Sequence, residues 1–172
     1  MELWDLYDKR LEKLGKTIER GGKTAFGEDE LHMVVHVWLM NSEGRLLVQK
    51  RAAIKKESPN EWSTTGGSAI AGEDGIAATI RETQEELGIA LKPAQLSFVM
   101  SYARRHDFVM VYFASCDVPA EAMRLQEIEV AKAEYWTVEE VEARMTDGSF
   151  WNYRYWQLLK QYFQENGLLK SK

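Results

Sequence analysis

The chain of 172 residues has very little cysteine and no surplus of positive charge. Its one cysteine, Cys116, cannot form an intramolecular disulfide, and the N-terminal residues lack the basic and apolar regions of a secretory signal. We therefore expect a reducing, cytoplasmic setting. Lys and Arg number 22 against 27 Asp and Glu, so the basic excess typical of proteins that bind nucleic-acid polymers is missing. We expect no nucleic-acid partner.

Long apolar stretches and linker-like segments are also missing. The two longest apolar runs, 33–40 and 108–116, fall well short of the roughly 20 residues of a membrane-spanning helix, and we expect no membrane partner. The chain has three prolines and no internal repeat. Its 45% hydrophobic and 28% charged content is ordinary for a globular protein. We expect one domain that spans residues 1–172.

Strand and helix patterns follow one another along the chain, which predicts an α/β (α+β) fold with a mixed sheet. The predicted strands are 32–40, 45–51, 96–102, 108–116 and 133–136, and residues 53–72 are predicted to be a loop. The predicted helices lie between Glu73 and Gly88, over 138–145 after a capping box at Thr137, and over 150–166 after a cap at Ser149. The aromatic stripe of the last helix suits either core packing or a homodimer contact. Residues 1–27 form an N-terminal extension whose leucine spacing suits a helix, but Leu3–Tyr7 followed by Gly15 favours a hairpin.

Three carboxylates share one face of the predicted helix that ends at Gly88. At about 100° per residue, Glu82, Glu85 and Glu86 fall within one arc of the helix. Like charges at this spacing destabilise a helix unless a cation lies between them. The donors are all hard oxygens, which favours Mg²⁺ or Mn²⁺ over zinc. Taken alone, such a face is also typical of a solvated helix surface.

The surrounding spacing makes the metal-binding interpretation stronger, because it resembles the Nudix box. That motif is a glycine, five residues, Glu, seven residues, then Arg-Glu-hydrophobic-any-Glu-Glu-any-Gly-hydrophobic. The matching positions are Gly67, Glu73, Arg81, Glu82, Glu85, Glu86, Gly88 and Ile89. Thr83 departs from the motif, since an aliphatic residue is expected there, and we expect a local packing change at that position.

The resemblance to Nudix hydrolases implies an α/β/α sandwich and Mg²⁺-dependent (or Mn²⁺-dependent) hydrolysis of a diphosphate linked to another group, with water as nucleophile. It implies that the Gly67 carbonyl, Glu82, Glu85 and Glu86 lie near the metal. Glu82 or Glu129 is the candidate general base, and Arg81 is expected to orient Glu85. A Nudix-fold protein that binds nucleotides without catalysis is an alternative.

Anion binding by an acidic protein requires local cations. Lys50 and Arg51, at the end of a predicted strand, and Arg104, between two later strands, are candidates for phosphate contacts. Trp62 could stack on a substrate base, although a tryptophan at that place more often packs in the core. The substrate itself is not determined by these residues.

The N-terminal side resembles the Nudix subgroup related to isopentenyl-diphosphate isomerase. The resemblance lies in residues 2–8 and in the stretch 32–38. Such isomerases use a cysteine before the box helix, an acidic residue on a later strand and histidine ligands. This chain has no cysteine in 62–68, carries Ser68 where a histidine is usual, and retains only His32. Isomerase activity is therefore the weaker alternative.

Overall fold

The computed structural model describes residues 1–169, which form a mixed β-sheet between two helical layers. Two short 3₁₀ turns, Pro93–Gln95 and Ala120–Ala122, lie between the regular elements. The strands are β1 (Leu3–Tyr7), β2 (Lys13–Glu19), β3 (His32–Met40), β4 (Leu46–Arg51), β5 (Trp62–Ser63), β6 (Thr65–Ser68), β7 (Ser97–Ala103), β8 (Asp107–Ser115) and β9 (Val130–Trp136). The helices are α1 (Gly75–Leu87), α2 (Val138–Asp147) and α3 (Trp156–Glu165).

The central strands β3 and β4 separate soon after their turn, and this separation creates space for the site. They pair with each other only at Met40 and Leu46. Beyond that point β6 pairs antiparallel with β3, and β9 and β5 pair antiparallel with β4. On its other side β3 runs parallel to β8, which pairs antiparallel with β7. The glycine-rich strand β6 therefore lies in the middle of the sheet.

Alternating side chains of β3 supply two hydrophobic cores, one on each face of the sheet. Val35, Val37 and Leu39 belong to the core beneath α1, which also buries Leu87. Trp38 and Met40 belong to the core beneath α2 and α3. This arrangement follows from the two-residue period of a strand. It confirms the predicted α/β/α sandwich around a mixed sheet.

Capping residues begin the first two helices where the sequence predicts, but α2 runs to Asp147, two residues past the predicted end at 145. Asp74 accepts a hydrogen bond from the Ala77 N–H at 2.8 Å, and Gly88 ends α1 in the left-handed conformation. Thr137 and Glu140 form the predicted capping box of α2. Thr83 is fully buried, and its hydroxyl donates to the Thr79 carbonyl at 2.7 Å. The hydroxyl is therefore satisfied inside α1, at a position where the motif has an aliphatic side chain.

The prediction of a helix from 150 to 166, capped by Ser149, is wrong at its start. The helix α3 begins only at Trp156. The Trp62 N–H donates to the Ser149 carbonyl at 3.1 Å, and the Trp151 N–H donates to the Trp62 carbonyl at 2.8 Å. These bonds to β5 hold residues 149–151 extended, because a backbone group committed to a strand cannot also bond within a helix.

The prediction of a loop over 53–72 is also incomplete. The short strands β5 and β6 lie within it. Their few residues, two of them glycines in β6, carry no alternating pattern that a sequence could reveal.

Residues 1–27 contain the β1–β2 hairpin that the sequence favours over a helix. Several contacts attach the hairpin to the rest of the chain, among them a stack of Trp4 on His32 with ring centroids 4.1 Å apart. Tyr7 pairs with Leu31, and the Ala71 N–H donates to the Leu3 carbonyl at 2.7 Å. Within residues 1–169, none of the helices has the length and apolar character needed to cross a membrane.

Candidate active site

The site is built where the glycines of β6 meet the carboxylate face of α1. Gly67 lies so close to Glu82 that a Cβ at this position would overlap the Glu82 carboxylate. At Gly66 a Cβ would overlap the Val35 carbonyl of the neighbouring strand. Only glycine allows both close approaches. The backbone of β6 and the carboxylate of Glu82 are thereby placed against each other.

Arg81 joins the carboxylates of α1 to the strand. Its guanidinium makes two bonds to the Glu73 carboxylate, at 2.8 and 3.0 Å, and donates to the Ser68 carbonyl at 3.0 Å. The Nη1 atom donates to Glu82 at 2.9 Å and to Glu85 at 3.2 Å. These contacts raise the pKa of Arg81, chiefly through its hydrogen bonds to Glu73. Arg81 therefore orients both Glu82 and Glu85, not Glu85 alone.

Glu86 is a buried carboxyl group with little neutralising charge around it. Glu86 is only 6% exposed, and its carboxyl group accepts a hydrogen bond from Gln49 Nε2 at 2.9 Å. Burial is the main cause that raises the pKa of Glu86 to about 8, and the nearby charges of Glu82 and Glu129 contribute to this rise. Burial also raises the pKa of Glu82. Carboxyl groups with raised pKa values in one place are typical of a functional site.

The carboxylates of α1 do not converge on one common point, and two of them bond to Arg81. Within residues 1–169, no three His, Cys, Asp or Glu side chains converge as a metal cluster. Arg81 lies between Glu82 and Glu85 and bonds to both. The donor set is nevertheless of hard oxygens, with the β6 backbone brought beside it by Gly67. Oxygen donors of this kind are the ligands that divalent cations such as Mg²⁺ prefer, so the residues present fit such a cation.

Glu129 lies just before β9 and faces the same region from the opposite side. Its carboxylate pairs with Lys55, in the loop after β4, and it contributes to the raised pKa of Glu86. The Ala52 N–H donates to the Glu129 carbonyl at 2.9 Å and fixes the segment to β4. The structure thus brings Glu129 to the carboxylates of α1, although it lies far from them in the chain.

A cleft of about 890 Å³ lies beside these carboxylates and carries most of the local positive charge. Its lining includes Arg20, Arg51, Lys55, Lys56 and Arg104, together with Ser68 and Glu129. Arg104 is paired with Asp107, whereas Arg51 donates only to the Glu57 carbonyl, at 3.2 Å from both Nε and Nη2. Among the described residues 1–169, no carboxylate neutralises Arg51. An unneutralised guanidinium at the edge of a cleft is suited to a phosphate.

Two of the predicted substrate-binding residues lie elsewhere. Trp62 packs against Trp136 with ring centroids 4.4 Å apart, and Lys50 pairs with Trp62 and Lys132 in the sheet. Neither residue lines the cleft or the smaller pocket beside it. Their predicted contact with substrate stays a prediction.

That smaller pocket holds side chains that the sequence does not single out. Its volume is about 190 Å³, and it shares Arg51, Ser68 and Arg104 with the cleft. His36, Tyr153 and Trp151 line it as well. Trp151 and Tyr153 lie within the helix predicted over 150–166, but the observed α3 begins only at Trp156. The sequence therefore predicts the wrong backbone structure for these two residues. No local pattern could have placed them beside β3.

A family model described as the NUDIX domain matches residues 30–157. The chain belongs to the Nudix family. The matched range contains the carboxylates of α1, the glycines of β6 and Glu129, and it leaves the β1–β2 hairpin outside.

Proteins of known sequence or structure agree with this assignment. An uncharacterised Nudix hydrolase of Listeria monocytogenes is 42% identical over 151 residues, covering 87% of this chain and 88% of that protein. An isopentenyl-diphosphate Δ-isomerase of Pectobacterium atrosepticum is 33% identical over 126 residues, covering 67% of each chain. A crystal structure of a Deinococcus radiodurans protein superposes with a TM-score of 0.75 at 25% identity, covering 93% of this chain and 98% of the other.

The family match and the named hydrolases make this Nudix protein an enzyme, a pyrophosphohydrolase that acts on a small molecule. Members of the family generally use divalent metal cations, and the hard-oxygen donors of α1 agree with that chemistry. The isomerase relative is more distant in both identity and coverage, and it gives only a weak indication of the isomerase-related subgroup.

Proposed function

We propose that this Nudix protein is a Mg²⁺-dependent hydrolase that cleaves the diphosphate linkage of a nucleoside diphosphate joined to another group. The observation that supports the proposal most directly is the buried Glu86 beside Glu82 and Glu129. Burying a carboxylate is costly unless a cation or hydrogen bonds compensate. A divalent cation would supply that compensation and would also neutralise the phosphate oxygens of a substrate.

The proposed metal donors are the Gly67 carbonyl and the carboxylates of Glu82, Glu85 and Glu86. All four are oxygen donors, which suits Mg²⁺ and, at similar geometry, Mn²⁺. When bound, the metal polarises the phosphoryl group and lowers the pKa of a bound water. Arg81 has a positioning role, because its bonds to Glu73 and Ser68 hold the guanidinium where it also contacts Glu82 and Glu85, the carboxylates that would hold the metal.

The proposed phosphate contacts come from the cationic side of the cleft. Arg51 is the leading candidate, since no carboxylate among residues 1–169 neutralises it. Arg104 is held by Asp107 at 2.9 Å and can offer its remaining donors. Lys50 and Trp62 are proposed with less structural support, as both lie outside the cleft lining. Attack by water requires a base, for which we propose Glu82 or Glu129.

An isomerase is the second candidate, because an isopentenyl-diphosphate isomerase is among the relatives. Cys116 directly follows the last residue of β8 and is buried. Tyr135 Oη lies 3.6 Å from its sulfur. Cys116 does not line the cleft or the smaller pocket. Ser68 lies 3.4 Å from His32 Nε2, in place of a second histidine. The acid–base groups that the resemblance calls for are thus not assembled here.

Release of phosphate or pyrophosphate tests the proposal. We would supply nucleotide sugars, dinucleotide cofactors, nucleoside triphosphates and isopentenyl diphosphate, each with Mg²⁺, with Mn²⁺ and with a chelator. We expect release from at least one nucleoside diphosphate derivative, abolition by the chelator, and a loss of at least about 100-fold in kcat for Glu85→Gln.

Glu121→Gln is the matched control, because Glu121 is an exposed glutamate in a 3₁₀ turn outside the site. It should retain wild-type turnover. Equal turnover of Glu85→Gln and wild type would contradict the assigned role of Glu85. Proton exchange into isopentenyl diphosphate without phosphate release would favour the isomerase instead.

We further propose that residues 1–172 act as a single domain in the cytoplasm, with residues 1–27 as an extension that packs on it. The contacts of Tyr7 with Leu31 and of Ala71 with Leu3 support that organisation. A homodimer stays a prediction. The exposed Leu158 on α3, 59% accessible, is one side chain that such a contact would cover.

A further inference from the structure

The small pocket beside the cleft is charged only where it adjoins the cleft. Arg51, Arg104 and Glu57 line both spaces, and the Arg51 guanidinium donates to the backbone carbonyl of Glu57. The polar side chains that line the pocket alone include His36, Gln49 and Tyr153, none of which carries a negative charge. A substrate whose phosphates contact Arg51 and Arg104 would therefore place an uncharged group in the pocket.

A chain of hydrogen bonds fixes the proton of His36. The Trp38 Nε1–H donates to Tyr155 Oη at 3.0 Å, so this oxygen already acts as an acceptor. Tyr155 Oη lies 2.9 Å from His36 Nδ1. Tyr155 is buried, and among residues 1–169 its hydroxyl hydrogen has no acceptor other than this nitrogen. Because a buried hydroxyl donates its hydrogen where an acceptor is available, Nδ1 is the acceptor and the ring hydrogen lies on Nε2.

The Nε2–H of His36 is then a donor without a partner in the described chain. No hydrogen bond joins it to any of residues 1–169. It is also not a fully buried polar atom without a partner, as His106 Nδ1 is, so this nitrogen is accessible to a ligand. Burial lowers the pKa of His36 to about 3, so the ring is neutral at physiological pH. His36 lines the pocket, and its Nε2–H is open to an occupant.

Tyr153 offers a second donor to the same pocket. Its hydroxyl oxygen accepts the Thr64 N–H at 3.1 Å, and its own hydrogen has no acceptor among residues 1–169. Trp151, a residue that is 37% exposed, contributes an aromatic ring, and the Arg51 guanidinium lies 5.9 Å from the ring centroid. The pocket therefore presents neutral donors and one aromatic face, which suits a ring that carries acceptor oxygens.

The volume limits the size of that ring. About 190 Å³ corresponds to the liquid volume of about six water molecules, at about 30 Å³ each. This accommodates one six-membered ring with its substituents and excludes a whole nucleotide. Pyrimidine bases and hexoses both have this size and both carry uncharged acceptor oxygens.

We propose that this pocket is a specificity subsite for one uncharged six-membered ring with acceptor oxygens, and that His36, held as the Nε2–H tautomer by Tyr155 and Trp38, donates to it. The proposal adds a substrate class to the proposed hydrolase function. It rests on that function for the placement of the substrate phosphates at Arg51 and Arg104. The ring is either a pyrimidine base or a hexose, and the test separates these two sources.

Nitrogen NMR of the full chain labelled at histidine tests the proposal without requiring turnover. Long-range proton–nitrogen correlation shows which ring nitrogen is protonated, and the signals of the three histidines are assigned with His36→Gln. We expect His36 to carry its hydrogen on Nε2. Uridine 5′-monophosphate, glucose 1-phosphate and inorganic phosphate are then titrated separately.

A shift of the Nε2 signal with uridine 5′-monophosphate identifies a pyrimidine, and a shift with glucose 1-phosphate identifies a hexose. Inorganic phosphate should leave this signal unchanged. A hydrogen on Nδ1, or no response of Nε2 to either organic phosphate at tens of millimolar, would overturn the proposal. Because this readout is independent of hydrolysis, a failure of the hydrolase function leaves it interpretable.

Variants then measure the contribution of the donor to specificity. We expect His36→Phe to lower kcat/KM about 10-fold for substrates with the preferred ring and to leave substrates without it unchanged. His36→Gln, whose amide nitrogen can occupy the Nε2 position, should recover most of the loss. Tyr155→Phe, which removes the bond that orients His36 without touching the pocket, should give an intermediate loss. An equal loss for all substrates would show a purely structural role and contradict the proposal.

Discussion

At the scale of single residues, the neighbouring glycines Gly66 and Gly67 of β6 are in contact with different groups. We therefore expect substitution of Gly66 to affect mainly stability and substitution of Gly67 to affect mainly activity. Beside Gly66 lies the backbone carbonyl of Val35, which cannot move without disturbing β3. Beside Gly67 lies the end of the Glu82 side chain, which can rotate away. A methyl group at each position therefore meets an immobile and a mobile neighbour, respectively.

We expect Gly66→Ala to lower the free energy of unfolding by about 1–3 kcal/mol, and Gly67→Ala by less than about 1 kcal/mol. Gly67→Ala should nevertheless lose most of its metal-dependent turnover, because Glu82 must leave its position. Urea unfolding and kcat measured on the same preparations check both values. Full activity of Gly67→Ala would argue against the placement of Glu82 at the metal.

His36 also makes the stability depend on pH. Burial lowers the pKa of His36 to about 3 from an ordinary value of 6.5, so between these values the unfolded chain binds a proton that the folded chain does not. Stability from this group is complete above pH 6.5 and decreases as the pH falls toward 3.

We expect wild type to lose up to about 1.4 kcal/mol per pH unit relative to His36→Gln below pH 6. Urea unfolding of both proteins at pH 7, 6, 5 and 4 measures the difference. Parallel stability curves for the two proteins would show that His36 is not held neutral.

At the scale of elements, the helix boundaries that depend on local capping are the ones that the sequence predicts well. Asp74, Gly88 and the capping box of α2 act through bonds within four residues. The start of α3 depends instead on bonds between residues 149–151 and β5, which are distant in the chain. The helical spacing of aromatic residues after Ser149 is therefore misleading, because the backbone groups of residues 149–151 form hydrogen bonds with β5 and are not available for helix bonds.

We expect Thr137→Ala to lower the free energy of unfolding by about 1 kcal/mol, because it removes the side-chain acceptor of the capping box. Thr146→Ala is the control in the same helix. Its hydroxyl bonds only to the Glu142 carbonyl at 2.9 Å on the exposed face, so alanine there should be neutral or slightly stabilising. Equal losses in the two variants, measured by urea unfolding, would contradict the role assigned to the cap.

At the scale of the whole molecule, the sheet assembles carboxylates from α1 and from the segment before β9 around one place. Gln49 of β4 bonds to Glu86, and Thr65 of β6 bonds to Gln49 at 3.2 Å. This network ties the core of the sheet to the acidic site. The folded chain thus buries a carboxyl group that weakens it in the absence of a cation.

We expect Mg²⁺ at 100 times its dissociation constant to stabilise wild type by about 2.7 kcal/mol. Glu86→Gln should be more stable than wild type without metal at neutral pH, because burial raises the pKa of Glu86 to about 8 and folding must therefore protonate a group that is ionised in the unfolded chain. The variant should gain much less from Mg²⁺. Thermal unfolding with and without Mg²⁺ measures both effects, with Glu121→Gln as the variant that should behave as wild type. Equal stabilisation of wild type and Glu86→Gln would exclude Glu86 as a ligand.

The family, the carboxylate face of α1 and most strand and helix positions were determined by the sequence itself. They rest on local signals: residue spacing along one helix, alternation along strands, and caps formed within a few residues. Only the tertiary structure decided the rest. In the folded chain β6 lies between β3 and β4, Glu129 and Arg51 lie at the site, and the side chains of His36 and Tyr153 line the same pocket. These contacts join residues far apart in the chain, and no short-range pattern records which distant partner a side chain will meet.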